Sequence, residues 1–255
     1  MPPFFSTLAS HVPTVRQTSR NIMAIWCNRV LAILAPIIIT PIITHYFGTV
    51  LTGVWLMATQ LLAHLMLLDA GFTNSLVRFL AGQRALHDPQ KASSYLGTAF
   101  YSLLSISFLL LLMSPFLSSG FLYSMQLTSD NAPEAKGLIM LTIAYAAISL
   151  PLRVGHGLHA SVHRFDIIHF FDSVGIIIRV ALIVMLFSWW QPKLIHLGVI
   201  VFGSTMLSAV LTFVNGLKLN PLLSLRLRGI KRSALGDLSS MGMAALIVTA
   251  SSVLL

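Results

Sequence analysis

The sequence has 255 residues, of which 56% are apolar and 9% are charged, and its formal net charge is +9. Soluble domains carry roughly 25% charged residues, so this composition excludes a water-soluble globular protein and indicates a membrane protein. The single cysteine, Cys27, excludes an internal disulfide and a cysteine-based zinc site.

Long apolar segments follow one another along the chain. A spanning helix needs ~20 mostly apolar residues, because the hydrocarbon core is roughly 30 Å thick. Six segments are candidates, at residues 22–43, 53–68, 95–117, 137–158, 167–190 and 194–217. The second is short as drawn, and we expect it to continue through Asp69 to Phe79. A seventh begins near Leu238 and extends to Leu255. The runs are continuous rather than alternating, so we predict an all-α polytopic membrane helix bundle of six transmembrane helices plus the start of a seventh.

The basic residues between these segments predict the orientation of the chain. If the N-terminus is cytoplasmic, the outside loops hold only Lys136 and Lys193. The inside segments then hold twelve basic residues: Arg16, Arg20, Arg78, Arg84, Lys91, Arg153, Arg164, Lys218, Arg226, Arg228, Lys231 and Arg232. This asymmetry is the one that the positive-inside rule predicts, and a missed or invented helix would destroy it.

Three parts of the chain follow from this division. Residues 1–217 are predicted to form a six-helix transmembrane lobe, 218–237 a basic cytoplasmic linker, and 238–255 the start of a seventh helix. An even number of spans followed by a basic connector predicts a second bundle in the same orientation as the first. Such parallel repeats, related by an axis along the membrane normal, are typical of some transporters.

Charged residues inside the apolar segments are the main candidates for function, because a charge within a bilayer costs several kcal/mol. Arg29 lies in the first segment, and Asp172 and Arg179 lie seven residues apart on the fifth, which places them on one helical face. Arginines here indicate a cationic cavity for phosphate or pyrophosphate. The alternatives are structural pairs, Arg29 with Asp69 and Arg179 with Asp172, or snorkelling of Arg29 to the interface.

The two carboxylates are candidates for a coupling proton or cation, Asp69 first and Asp172 second. For Asp69 the favoured alternative is a helix cap, because Asp69-Ala70-Gly71 can interrupt and restart a helix.

Three histidines, His156, His159 and His163, have the spacing of one helical face if the fourth span continues inward. They lack the carboxylate or cysteine framework of a metal site, and interfacial histidines are the favoured interpretation. We therefore expect no metal and no cofactor. The sequence also lacks a phosphate-binding glycine loop, a nucleophile elbow, a zinc protease motif and a nucleic-acid-binding patch, so we predict that the protein is not an enzyme.

Several short motifs resemble the polysaccharide and O-antigen flippase family, which belongs to the multidrug, oligosaccharidyl-lipid and polysaccharide exporter superfamily. They are Tyr-Phe-Gly at 46–48, Gly-Val-Trp at 53–55, Leu-Leu-Asp-Ala-Gly-Phe at 67–72, Ser-Leu-Val-Arg-Phe at 75–79 and His-Arg-Phe-Asp at 163–166. Arg78 belongs to one of these motifs and joins Arg29 and Arg179 as a candidate for substrate binding. The family's usual Leu and Tyr are replaced here by Phe47 and Thr52.

The resemblance implies two six-helix lobes around a central cavity, with this chain as the N-terminal lobe. Such proteins flip a polyprenyl-pyrophosphate-linked oligosaccharide across the bacterial inner membrane by alternating access, for O-antigen or exopolysaccharide biosynthesis. The expected partners are this lipid-linked oligosaccharide and membrane lipid, with no nucleic acid, and a parallel homodimer if the chain is natively this short. Three alternatives are open: a cation-coupled multidrug exporter, a membrane-embedded transferase that acts on the same lipids, and a non-transporting fragment.

Overall fold

The computed structural model describes residues 14–69, 71–125, 131–189, 193–223, 225, 234–238 and 240. Its α-helices are α1 (Val15–Met66), α2 (Phe72–Ala85), α3 (Pro89–Met125), α4 (Ala132–Leu152), α5 (Val154–Ala160), α6 (Phe165–Trp189) and α7 (Leu194–Lys218). A 3₁₀ turn, Leu67–Asp69, joins α1 to α2, and residues 234–238 are also helical. No β-strand occurs in these ranges, which confirms the predicted all-α class.

The first helix supplies two of the predicted spans. At Gly48 the backbone leaves the helical region, with φ 70° and ψ −179°, a conformation that glycine adopts without a Cβ clash. The two arms of α1 then fold back on each other, because residues 32–40 and 55–62 line the same cavity. Within the described part of the chain, five helices are long and apolar enough to cross a membrane, and the first of them contains both arms. The prediction of separate spans at 22–43 and 53–68 therefore holds, but one residue replaces the expected loop.

The centre of the bundle is α4, which packs against α1, α3 and α7. Its side chains Leu138, Ile139 and Ile143 are completely buried. The outer helices have the opposite character, since large apolar side chains such as Phe108 and Met185 are more than half exposed. An exposed apolar surface of this extent is stable in lipid and unstable in water, so the structure is a multi-pass membrane helix bundle.

Two small-residue contacts set the distances between helices. A Cβ at Gly155 of α5 would lie 2.5 Å from the Cα of Phe213 in α7, which is closer than real Cβ atoms approach a backbone. A Cβ at Gly175 of α6 would lie 3.2 Å from the carbonyl oxygen of Ser204, also in α7. Glycine at both positions lets α5 and α6 approach the backbone of α7, as small residues do at membrane helix interfaces.

Three described basic residues of the predicted inside segments, Arg20, Arg84 and Arg164, lie at one end of the bundle. There Arg20 pairs with Asp166, and Arg84 hydrogen-bonds to Asn220. At the other end, near Lys136 and Lys193, α4 and α7 meet, and the backbone N–H of Leu194 donates to Oε2 of Glu134 at 3.2 Å. This sorting agrees with the predicted loop pattern. The cytoplasmic location of the N-terminus stays a prediction.

The predicted linker and seventh helix fall largely outside the described residues. Of their described part, Ala234 and Leu238 are buried, and Leu238 packs with side chains of α2, α3 and α5. The Tyr95 hydroxyl of α3 donates to Oδ2 of Asp237 at 2.9 Å. Residues 234–238 therefore pack against the bundle, and the boundaries at 217 and 237 stay predictions.

Candidate substrate cavity

Asp172 and Arg179 project from α6 into the space between α1 and α7. Gly175 lies between them along the helix, at the point where α6 comes closest to α7. The two charged residues line a common cavity of about 280 Å³. The prediction that a spacing of seven places them on one face is therefore confirmed. The other residues that line this cavity are Asn28, Gly175, Ile176, Thr205 and Ser208.

The two charges in this cavity do not form an ion pair. The carboxylate Oδ1 of Asp172 accepts a hydrogen bond from the Ser208 hydroxyl at 2.6 Å. Among the described residues, no carboxylate lies within 4.0 Å of the Arg179 guanidinium. The proposed structural pairing of Arg179 with Asp172 is thus wrong, and Ser208 satisfies the carboxylate instead.

The Arg179 guanidinium is partly buried, and its Nε has no hydrogen-bond acceptor among the described residues. A buried donor without an acceptor costs about 1–3 kcal/mol, and more when the group is charged. Arginine keeps its proton under all ordinary conditions, so it cannot avoid this cost by becoming neutral. The site is therefore suited to an anion whose oxygens accept from the guanidinium.

A second cavity of about 410 Å³ adjoins the first, because Arg179 and Thr205 line both. Its wall contains Trp55, Phe202 and Tyr145, which form a stack with ring centroids 6.1 Å apart for the first pair and 5.0 Å for the second. Both arms of α1 complete the wall. A mostly apolar, aromatic-lined cavity with a few placed polar groups is the usual form of a small-molecule site.

Asp69 lies away from these cavities, at the end of the 3₁₀ turn. Its Oδ1 accepts from the backbone N–H of Thr73 at 3.2 Å and from the Thr73 hydroxyl at 3.1 Å, both at the start of α2. Its Oδ2 lies 3.5 Å from Nε of Arg153. Asp69 therefore accepts from the first turn of α2, as the cap interpretation expects, although the N-cap residue itself is Gly71. The suggested pairing of Asp69 with Arg29 is wrong, because Asp69 pairs with Arg153. A coupling role for Asp69 stays a prediction.

Arg29 and Arg78 are exposed on the described surface of the bundle. Neither forms an ion pair with a described residue, and neither lines the two cavities around Arg179. The structure therefore does not bring these two arginines together with Arg179, and the residue of the first span that lines the cavity is Asn28. Substrate contacts of Arg29 and Arg78 stay predictions.

The three histidines do not share a helical face. Helix α5 ends at Ala160, and His163 lies beyond it with a φ of 57°. His159 is completely buried rather than interfacial, and its Nε2 lies 3.0 Å from Oδ1 of Asn215 in α7. This burial between helices does not test the expected depth at the membrane interface, so the interfacial location of His159 stays a prediction. Within the described ranges, no three His, Cys, Asp or Glu residues form a group that could hold a metal ion.

Several residues of the site escape the sequence analysis. Asn28, Thr205 and Ser208 are uncharged polar residues within apolar spans, so the positions of intramembrane charges do not point to them. Thr205 and Ser208 are separated by three residues on α7, which is the spacing of one helical face. A search for polar pairs with helical spacing inside apolar runs finds them. The aromatic stack has no comparable local pattern, because its three rings come from three helices.

The fold is similar to that of solved membrane transporters. One is a multidrug resistance MATE family transporter of the MOP superfamily in an outward-facing conformation, with 16% identity and a TM-score of 0.72. Another is a MOP superfamily transporter from Pyrococcus furiosus, described by a reversed polarity of its binding pocket, with 16% identity and a TM-score of 0.71. Each comparison covers 91% of this chain and 52% of the other, so the chain spans about half the length of these transporters. No protein-family model and no curated protein matches the sequence.

Proposed function

We propose that this chain forms the N-terminal half of a transporter that flips a polyprenyl-pyrophosphate-linked oligosaccharide across the bacterial inner membrane by alternating access. The observation that carries this proposal is the buried Nε of Arg179, a permanently charged donor without an acceptor in an aromatic-lined cavity. The similarity of the fold to one half of solved MOP superfamily transporters supports a transport role.

The balance of charge in the cavity favours an anionic substrate. Ser208 donates to Asp172 and so satisfies one of its carboxylate oxygens, whereas the Nε of Arg179 is unsatisfied. Pyrophosphate oxygens can accept from the planar guanidinium at two points, which a lysine ammonium cannot reproduce. The adjoining cavity of about 410 Å³ has room for the first part of a head group beside the Trp55, Phe202 and Tyr145 rings.

The exposed Arg29 fits the same proposal. It lies in the apolar part of α1, where an uncovered charge in lipid costs several kcal/mol. We assign its face of α1 to the interface with a second lobe, supplied by further chain or by a second copy. There Arg29 and Arg78 contribute positive charge to a central aqueous path, through which the head group moves past Arg179.

Binding of a polyprenyl-pyrophosphate-linked glycan to the purified protein in nanodiscs, followed by native mass spectrometry, tests the proposal. We expect Arg179→Gln to weaken binding at least about tenfold and Arg179→Lys to restore it only in part, because lysine keeps the charge without the planar fork. Lys136→Gln, an exposed basic residue outside the cavities, is the matched control. Equal binding by wild type and Arg179→Gln would contradict the proposal.

A second function, cation-coupled drug export, is favoured by one observation. Asp172 lines its small cavity together with Asn28, Thr205 and Ser208, which carry side-chain oxygens, and with Arg179. Oxygen ligands of this kind suit a hard cation. Under this alternative, drug efflux from proteoliposomes depends on a sodium or proton gradient, and Asp172→Asn abolishes that dependence. Drug efflux by the wild type that depends on neither a sodium nor a proton gradient would eliminate the drug-export alternative.

A further inference from the structure

Three arginines line a cavity of about 280 Å³ at the end of the bundle where α1 begins. They are Arg16 and Arg20 from the first turns of α1 and Arg164 from the turn before α6. Thr14 and Gln17 complete the lining. This cavity is separate from the one around Arg179, with which it shares no lining residue.

Hydrogen bonds hold the start of α1 against the turn that precedes α6. Nε2 of Gln17 donates to the carbonyl oxygen of His163 at 3.0 Å, and Nδ2 of Asn21 donates to the same oxygen at 2.8 Å. The backbone N–H of Asp166 in turn donates to Oδ1 of Asn21 at 3.0 Å. These bonds join two segments that are far apart in sequence, so the three guanidinium groups converge on a fixed framework.

The charge of this cavity is positive. Arg20 and Arg164 both pair with Asp166, the latter through Nε at 3.0 Å. Arg16 is exposed and pairs with no carboxylate among the described residues. Three arginines and one aspartate leave a net charge of +2 at the rim. The Thr14 hydroxyl already accepts from the backbone N–H of Gln17 at 3.3 Å, so the three guanidinium groups carry the argument and the dipole of α1 adds to their positive potential. The site therefore favours an anion.

An apolar groove of about 540 Å³ continues from this cavity, because Arg20 lines both. It runs between α1 and α6, and the apolar part of its lining includes Met23, Ala24, Cys27, Leu31, Phe170 and Phe171. Its polar members besides Arg20 are Asp166, His169, Ser173 and Asn215. Residues 20–31 of α1 extend about 16 Å along the helix, at about 1.5 Å per residue. The groove is therefore long enough for much of one acyl chain and points from the basic rim into the apolar zone.

We infer that the basic rim and the groove together bind one anionic phospholipid, with its phosphate on Arg16, Arg20 and Arg164 and an acyl chain between α1 and α6. A free phosphate would use the rim but leave the groove without an occupant. A neutral lipid would fill the groove but leave the charge of the rim uncompensated. Only an anionic lipid matches both surfaces at once. This inference is independent of the function proposed for Arg179.

Cys27 makes a direct test possible. It is the only cysteine of the chain, it is exposed, and it lines the groove. We expect phosphatidylglycerol, added to the delipidated protein in detergent, to slow maleimide labelling of Cys27 at least about fivefold more than phosphatidylcholine does. The double variant Arg16→Gln/Arg164→Gln should raise the phosphatidylglycerol concentration needed for this protection at least about tenfold. Lys91→Gln/Lys218→Gln removes the same charge from exposed positions outside the site and should leave protection unchanged.

The other outcomes would overturn the inference. Equal protection by phosphatidylcholine would show that the rim selects no head group, and protection by inorganic phosphate alone would show a simple anion site. Protection by phosphatidylglycerol that survives in the double variant would place the lipid elsewhere. Displacement of phosphatidylglycerol by a polyprenyl pyrophosphate glycan at equal concentration would assign the groove to the transported substrate. Labelling in phosphatidylcholine, which should be the same for all variants, reports whether each variant is folded.

Discussion

The bundle contains two places where an aspartate and an arginine lie near each other, one at a helix junction and one within α6, and they differ in what satisfies each group. At the first, Asp69 caps the start of α2 and lies 3.5 Å from Arg153. At the second, Asp172 accepts from Ser208, and Arg179 has an unsatisfied Nε. The same residue types thus satisfy each other in one region, whereas in the other region the arginine lines a cavity with an unsatisfied Nε.

The difference follows from the position of each carboxylate in its helix. Asp69 lies at the junction between a 3₁₀ turn and α2, where the first backbone N–H groups of the new helix have no intrahelical acceptor. Asp172 lies within α6, where the backbone N–H groups already bond to the preceding turn. It therefore depends on side chains of neighbouring helices. In this bundle, the charged residue at a helix junction is therefore a weaker indicator of function than the one within a membrane-spanning helix.

The largest loss of stability is expected when the interactions of Asp69 with Thr73 and Arg153 are removed. Asp69→Ala removes the acceptor for Thr73 and leaves Arg153 without its carboxylate, so we expect a loss of about 2–3 kcal/mol in the free energy of unfolding. Thermal unfolding in detergent measures it. Asp88→Ala is the control, because Asp88 also caps a helix and pairs with Lys91, but at a more exposed position. That variant should lose about 1 kcal/mol or less, and equal losses would remove the distinction between the buried pair and an ordinary cap.

A smaller loss of stability is expected when the hydrogen-bond donor of Asp172 is removed. Ser208→Ala removes the hydroxyl that donates to Asp172 and should destabilise the protein by about 1–2 kcal/mol, as expected for a hydrogen bond to a charged group. Ser204→Ala, one turn earlier on α7, removes only a bond to the carbonyl oxygen of Val201 in the same helix. Its loss should be about 0.5 kcal/mol or less. If chemical denaturation gives the same loss for both, Asp172 does not depend on Ser208.

The smallest effect on stability is expected where the charge is unsatisfied. Arg179→Met replaces a guanidinium that has an unbonded buried Nε by an apolar side chain, so stability should change by no more than about 0.5 kcal/mol or should increase. Arg153→Met, in contrast, leaves Asp69 without its partner and should cost about 1–2 kcal/mol. Thermal unfolding of the two variants under the same conditions compares their stabilities. A marked loss for Arg179→Met would mean that Arg179 is a structural group.

Much of this architecture could be predicted from local sequence patterns. Apolar run lengths predict the spans, and the seven-residue spacing of Asp172 and Arg179 predicts their common face. Partners on other helices could not be predicted in this way, as Arg153 and Asp69 show, because they lie 84 residues apart and meet only after packing. The burial of His159 likewise depends on the close approach of α5 to α7 at Gly155. The spacing of residues within a single helix shows which side chains share a face, but it does not show which other helix that face will contact.

The single-residue reversal at Gly48 has a mechanical consequence. A loop of several residues between two spans lets each helix slide or tilt separately. Here only one non-helical residue, Gly48, connects the two arms of α1. Displacement of either arm along the membrane normal must pull the other with it. The two arms are therefore joined directly at the backbone of Gly48, and we expect a displacement of the arm that holds Arg29 to be passed on to the arm that holds Trp55.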